Sequence, residues 1–200
     1  MTANRTQPRC RGCDAALSTI LLNLGDMPLV NEYPPLASSA SQARYPLKAW
    51  VCDSCLLVQV EEIVSPEEMF SDYAYFSSFS ESWLEHSRRF ALEAEREFGL
   101  DSKSLVVEVA SNDGYLLKEF IAAGISVLGV EPATNIAKLA NEAGIPTENN
   151  FFGRKVAEDL VAGGNSADLL VAGSFTVVPD PDGGPVVKQF DGSSSVTPRP

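Results

Sequence analysis

Leu105-Val-Val-Glu-Val-Ala-Ser-Asn-Asp-Gly-Tyr-Leu-Leu117 is the stretch whose reading decides the fold. A short apolar, β-branched run carries an acid near its end, crosses a tight loop of small residues and enters a helical pattern. Buried parallel strands read as such runs, and a helix that follows directly turns its free N–H groups toward the loop. A second run, Ser126-Val-Leu-Gly-Val, ends in another acid, Glu131, 23 residues after Glu108. An acid at the end of the second strand can take up the two hydroxyls of a ribose. The pair of strands therefore points to an adenosine-containing cofactor.

Working outward from this unit, the pattern predicts a strand at 104–109, a helix at 113–123, a strand at 126–130 and a helix at 133–143. A short strand near 145–147, a helix at about 151–162 and a strand at 167–172 complete the series. Strands alternating with helices argue for a parallel sheet covered on both faces. Upstream, Ser65-Pro-Glu-Glu opens a short helix with serine as its cap and Glu68 closing a capping box. A longer helix is expected from about Ser80 to Phe98, with Trp83, Leu84, Phe90, Ala94 and Phe98 on one stripe. Between the two helices lies an aromatic, serine-rich segment that begins at Tyr73. After Val178 the chain is rich in proline, glycine and serine, the composition of a segment that cannot order itself. Four strands are fewer than a doubly wound sheet needs.

The four cysteines fall into two C-x-x-C units, Cys10/Cys13 and Cys52/Cys55, with 38 residues between the units. Two residues between thiolates let one tight turn present both sulfurs to a single tetrahedral ion. Gly12 offers backbone freedom for the first turn. Strand-like runs at Ile20–Leu24, Leu47–Val51 and Leu56–Glu61 give the layout of a small zinc ribbon, where metal replaces an insufficient core. Two disulfides, a redox pair and unrelated buried cysteines are the competing readings. A closed four-thiolate zinc site is preferred over them, and its role is structural because it leaves no position for substrate.

The 200-residue chain is 44% hydrophobic with a formal net charge of −12, and its mean hydropathy is −0.02. The acidic balance disfavours a nucleic-acid partner. No apolar run approaches the roughly 18–20 residues that span a bilayer, so no membrane partner is expected. The N-terminus lacks the apolar core of a secretory signal, which makes the cytoplasm the expected location. The domains expected are a disordered leader at 1–9, a zinc-binding domain at 10–62 and a helical connector at 63–100. A partial Rossmann-like domain at 101–178 and a disordered tail at 179–200 follow.

Ala110-Ser-Asn-Asp-Gly114 stands where dinucleotide enzymes carry G-x-G-x-x-G, yet holds one glycine. The missing glycines favour S-adenosylmethionine, which has no pyrophosphate, over a nicotinamide cofactor. A loop that binds nothing is the bland alternative. The single histidine, His86, lies mid-helix beside charged residues and reads as surface. Tyr73 and Tyr75 read either as packing aromatics or as the lining of a pocket.

Several segments in order resemble the sugar C-methyltransferases that act on nucleotide-linked deoxysugars in antibiotic biosynthesis. They are Cys10-Arg-Gly-Cys, Leu24-Gly-Asp-Met-Pro-Leu-Val-Asn, Tyr45-Pro-Leu, Val51-Cys-Asp-Ser-Cys-Leu-Leu-Val-Gln and Tyr73-Ala-Tyr-Phe-Ser-Ser. Glu108-Val-Ala-Ser-Asn-Asp-Gly-Tyr-Leu-Leu, Gly129-Val-Glu-Pro-Ala, Ile145-Pro-Thr and Phe151-Phe-Gly complete the set. The resemblance implies an α/β fold: an N-terminal zinc module held by Cys10, Cys13, Cys52 and Cys55, then an incomplete Rossmann-like S-adenosylmethionine domain. It implies that Glu108, Ala110, Asn112, Gly114 and Glu131 contact the cofactor. The Tyr73–Ser78 segment would face the sugar, with Tyr73 and Tyr75 as the catalytic candidates. In that family a base removes a proton beside a keto group, and the enolate takes the methyl group. Gly173-Ser-Phe-Thr-Val-Val departs from the family, which has Asn-Asn-Val followed by His there. The family's C-terminal domain, with its Glu-His pair, is not matched. The chain is therefore expected to be C-terminally truncated and to lack the main base. A zinc-stabilised binding module without chemistry, for a sugar nucleotide or a protein partner, is the alternative. The oligomeric state is not legible.

Overall fold

In the computed structural model, the described residues are 7–30, 33–34, 42–61 and 63–172, with the backbone of 175–180 and 184–189. Residues 1–6 of the leader expected at 1–9, and residues 31–32, 35–41, 62, 173–174, 181–183 and 190–200, lie outside them. The chain divides into two compact units, Met1–Met69 and Phe70–Pro200.

In the first unit, β1 (Thr19–Met27), β2 (Tyr45–Val51) and β3 (Val58–Val60) form an antiparallel sheet in the order β1-β2-β3. These are the three runs expected from sequence. Among the described residues its buried cluster is small: Cys10, Leu17, Trp50 and Cys52, with Ala15 packed against it. So few apolar groups cannot offset the chain entropy of ordering such a unit, and a metal is the ordinary remedy. The helix α1 (Pro66–Phe70) is capped as expected, the Glu68 amide donating to Ser65 Oγ at 3.1 Å.

The second unit opens with α2 (Glu81–Phe98), whose N-terminus is capped by Ser80 and whose C-terminus is closed by Gly99 at φ +62°. Ala94 is buried, and Leu84, Phe90 and Phe98 pack on the core as the stripe requires. Trp83 departs from that stripe: it is 42% exposed, and its ring faces Tyr115 and stacks on His86.

The remaining elements are β4 (Leu105–Val109), α3 (Leu117–Ala122), β5 (Ser126–Val130), α4 (Thr134–Glu142), β6 (Thr147–Glu148), α5 (Arg154–Ala162) and β7 (Leu169–Ala172). Strands β4, β5, β6 and β7 are parallel. Their core holds Val106, Leu117, Phe120, Ile125, Val127, Ala140, Leu169 and Val171. The sheet order is β6-β5-β4-β7-β8-β9, where β8 is Phe175–Asp180 and β9 is Gly184–Gln189. The chain works outward from β4 to β6, then crosses over to place β7 on the other side of β4. That reversal is the switch point where open α/β sheets take their ligands, beyond the carboxyl ends of the strands.

Two differences from the sequence reading stand out. Helix α3 begins at Leu117 rather than 113, because residues 111–116 wrap into turns, with the Gly114 amide on the Ser111 carbonyl at 3.1 Å. The sheet also continues where an unstructured tail is expected from 179. β8 pairs antiparallel with β7, and β9 with β8, matching Val177 with Val187 and Val178 with Val186. A backbone register of six paired positions between β8 and β9 is thus formed despite the proline and glycine in the segment.

Candidate functional site

In the first unit, the knuckles at Cys10–Asp14 and Cys52–Leu56 fold alike. The Asp14 amide closes on the Cys10 carbonyl at 2.8 Å, and the Leu56 amide on the Cys52 carbonyl at 2.9 Å. The left-handed residue of each turn is the one after its second cysteine, Asp14 at φ +59° and Leu56 at φ +63°. Gly12 is therefore not the source of left-handed freedom. It sits in a close space: a Cβ there would lie 3.3 Å from Leu57 Cδ2, a tight contact, and 3.8 Å from both Cys10 Sγ and Cys55 Sγ, an ordinary one. The four sulfurs lie within 4.8 Å of one another, with Cys10–Cys55 at 3.6 Å and Cys13–Cys52 at 3.5 Å. Tetrahedral zinc with sulfurs at about 2.3 Å requires sulfur–sulfur separations of about 3.8 Å, so the set fits zinc.

Gln59 is the residue that spacing alone did not single out. It is buried; its amide donates to Cys10 Sγ at 3.2 Å, and its carbonyl accepts the Arg11 amide at 3.0 Å. That contact holds the Cys10 thiol down at about 6. The only sequence signal for it was its place at the end of the Val51–Gln59 motif. Asp53 accepts from Ser18 Oγ at 2.6 Å and Thr19 Oγ1 at 2.7 Å, tying the second knuckle to the start of β1.

In the second unit, the loop after β4 has a conformation its residues do not announce. Ala110 at φ +56°, Asn112 at φ +49° and Gly114 at φ +76° are all left-handed. The alternating backbone of a glycine-rich loop is thus kept with one glycine, at a cost in strain at Ala110 and Asn112. Gly114 is constrained on a second ground. A Cβ there would lie 2.4 Å from Ile145 Cδ1.

The acids of the two strand ends are both buried, Glu108 at 1% and Glu131 at 5% exposure. Burial pushes Glu108 well above the usual carboxyl range. The Tyr115 hydroxyl bonded to it works against that shift, while Glu131 and Asp113 nearby add to it. Burial also raises Glu131, against the pull of two backbone amides. Those amides are Ala133, donating to Oε1 at 2.8 Å, and Asn112, donating to Oε2 at 2.9 Å. Glu131 therefore shapes the loop from β5, and each of its oxygens keeps lone-pair capacity for a further donor. Glu108 Oε2, Asp113 Oδ1 and Ser111 Oγ are buried without a protein partner. Orphaned buried polar atoms are costly, and two of these three are carboxyl oxygens, so the cluster suits a cationic or hydrogen-donating ligand.

The Tyr73–Ser78 segment is brought to this loop. The Ser77 amide donates to Asn112 Oδ1 at 2.9 Å, and Asn112 Nδ2 donates to the Tyr75 carbonyl at 3.1 Å. Asp113 Oδ2 accepts the Ser78 amide at 3.2 Å. Asn135, at the start of α4, bonds Tyr73 in both directions, accepting its amide at 3.1 Å and donating to its carbonyl at 2.8 Å. The Tyr73 ring lies against Phe70, while Tyr75 is 49% exposed. Sequence reading did not single out Asp113, Tyr115 or Asn135. Tyr115 follows Gly114 directly, which was its one available signal.

Residues 10–70 match a family model described as "Putative zinc binding domain". Over 173 residues, 86% of the chain, the sequence is 31% identical to the C-methyltransferase NovU of Streptomyces niveus. The chain spans 41% of the length of that relative. Among the described residues, no helix is long and apolar enough to cross a membrane.

Proposed function

We propose, on the premise these matches support of a C-methyltransferase family with an N-terminal zinc domain, that the chain binds S-adenosylmethionine. The site is the end of β4 and β5, and the methyl acceptor is a carbon of a nucleotide-linked keto-deoxysugar. The observation that carries this reading is a loop left-handed at 110, 112 and 114 whose own Asp113, with Glu108 on the strand before it, keeps a buried carboxyl oxygen without a protein partner. A positively charged ligand without a pyrophosphate fits that chemistry. The zinc held by Cys10, Cys13, Cys52 and Cys55 is structural, since four protein sulfurs close its coordination.

When bound, S-adenosylmethionine supplies a methyl group on a sulfonium centre that a carbon nucleophile can take. Glu131 accepts ribose hydroxyls on the lone pairs its two amide partners leave free. Glu108 and Asp113 face the cationic part of the ligand. Both are fixed in place beforehand, Glu108 by Tyr115 and Asp113 by Ser78, so little reorganisation is needed on binding. The left-handed Ala110 keeps the backbone close to the ligand. Tyr73 and Tyr75 face the sugar, where a phenol can hydrogen-bond an enolate oxygen. The setting is the cytoplasm.

Transfer of labelled methyl from S-adenosylmethionine to a nucleotide-linked keto-deoxysugar tests the reading. Label in the sugar is the result that supports the full reading. Binding of both compounds without transfer is the result expected of a zinc-stabilised binding module, or of this site without the base that the resemblance places outside the matched segments.

A further inference from the structure

We propose that Asn112 is a positioning residue whose amide couples the methyl-donor loop to the Tyr73–Ser78 segment, so that a ligand on the loop sets the order of the segment facing the second substrate. The inference rests on the site proposed above. It starts from the oddity of asparagine at φ +49°, in a region where glycine is the default residue. A loop that needed shape alone would be better served by glycine. Asparagine is among the few other residues that enter this region readily, and here its side chain has work that glycine cannot do.

That work is a clamp around Phe76. Oδ1 accepts the Ser77 amide at 2.9 Å and Nδ2 donates to the Tyr75 carbonyl at 3.1 Å, with the residue only 8% exposed. The backbone amide of the same residue donates to Glu131 Oε2 at 2.9 Å. One residue therefore joins the end of β5, the loop and the segment. The segment needs such outside support, because residues 71–76 form neither helix nor strand. Its other anchors are Asp113, bonded to the Ser78 amide, and Asn135 with Thr134, bonded to the backbone of Tyr73 and Ser71. Asp113 belongs to the same loop, so two of the anchors move together with it. A ligand that stiffens the loop stiffens the Tyr73–Ser78 backbone through these bonds.

Asn112→Gly separates the two roles, because glycine keeps the left-handed backbone and deletes the clamp. Amide hydrogen exchange is read by mass spectrometry on the zinc-loaded full chain, free and saturated with S-adenosylmethionine. In the natural sequence, the ligand is expected to slow exchange both at 110–114 and at 73–78. In Asn112→Gly, exchange at 73–78 in the free protein should rise on the order of tenfold. At saturating concentration the ligand should still protect 110–114 but no longer protect 73–78. Ser77→Pro breaks the clamp from the other side. It removes the donated N–H at the first position of a short 3-10 turn, where proline is well tolerated. It should give the same loss of ligand-dependent protection. A merely structural Asn112 would leave the ligand response at 73–78 intact in both variants, and that result overturns the proposal. If the natural protein shows no binding at all, the site reading fails. The free-state comparison still decides the clamp, since equal exchange at 73–78 in Asn112→Gly would refute it.

Discussion

Replacing Glu108 by glutamine should make the protein more stable at neutral pH while weakening its hold on a cationic ligand. Glu108 is 1% exposed, and its carboxyl titrates well above its ordinary value of 4.5, chiefly because burial disfavours the charge. As pH rises past 4.5, the unfolded chain releases this proton first, while the folded protein keeps it. The folded state then holds the extra proton, so stability falls by about 1.4 kcal/mol for each further pH unit, until the buried group itself ionises. Stability from this group is thus present at low pH and lost as pH rises. Glutamine keeps the shape and the contact with Tyr115 but cannot ionise, so that slope disappears from the variant. Any fixed packing cost of the amide is the same at every pH, and Glu131 is present in both proteins. Urea titrations of both proteins at about pH 5, 6 and 7 should therefore show a stability gap that widens in favour of Glu108→Gln with pH. A bound cation favours the ionised carboxylate and so draws the proton off Glu108, which glutamine cannot match. Calorimetry should therefore show proton release on binding to the natural protein, and the variant losing roughly 1.5–3 kcal/mol, about ten- to a hundredfold, in affinity for S-adenosylmethionine. The neutral demethylated product should lose far less. A gap that does not change with pH would refute the buried, protonated state of Glu108. Equal losses for cation and neutral product would refute its electrostatic role.

Cys52→Ser should abolish stoichiometric zinc and unfold the first unit, seen as exposure of the buried Trp50, because structural zinc contributes on the order of 10 kcal/mol. Retained zinc with unchanged Trp50 emission would contradict the four-sulfur site. Gln59→Ala leaves all four sulfurs in place but removes the contact at 3.2 Å to Cys10, and should weaken zinc about 10–100-fold in a chelator competition. Gly114→Ala forces a Cβ to 2.4 Å from Ile145 Cδ1 at a left-handed position, and should cost about 2–4 kcal/mol in urea unfolding. A change below about 0.5 kcal/mol would mean the loop can be rebuilt around Ile145.

The strands were legible because their signal is local. Leu105–Val109, Ser126–Val130 and Leu169–Ala172 are short apolar runs whose burial on both faces is written in their residue types. The cysteine spacing likewise names its chemistry, and the four sulfurs do converge. The shape of the loop was not legible, because alanine and asparagine do not declare a positive φ. Only Gly114 gave that signal, and the left-handed turns at Ala110 and Asn112 come from the way Val130 and Glu131 receive their amides. Nor did the sequence show that the Asn112 side chain engages Tyr75 and Ser77, 35 or more positions away. Gln59 acts through a long-range contact of the same kind, to Cys10, and Tyr115 through Glu108 at the other end of the loop; no periodicity points to either. The β8–β9 hairpin was hidden by composition, since proline and glycine around Val177 and Val187 mask a paired register.

Titration calorimetry of S-adenosylmethionine into the intact, zinc-loaded chain tests the proposed site most directly. The expected result is one ligand per chain, with binding to the neutral product that depends less on Glu108. A folded, zinc-loaded protein that binds neither compound would contradict the site at the ends of β4 and β5.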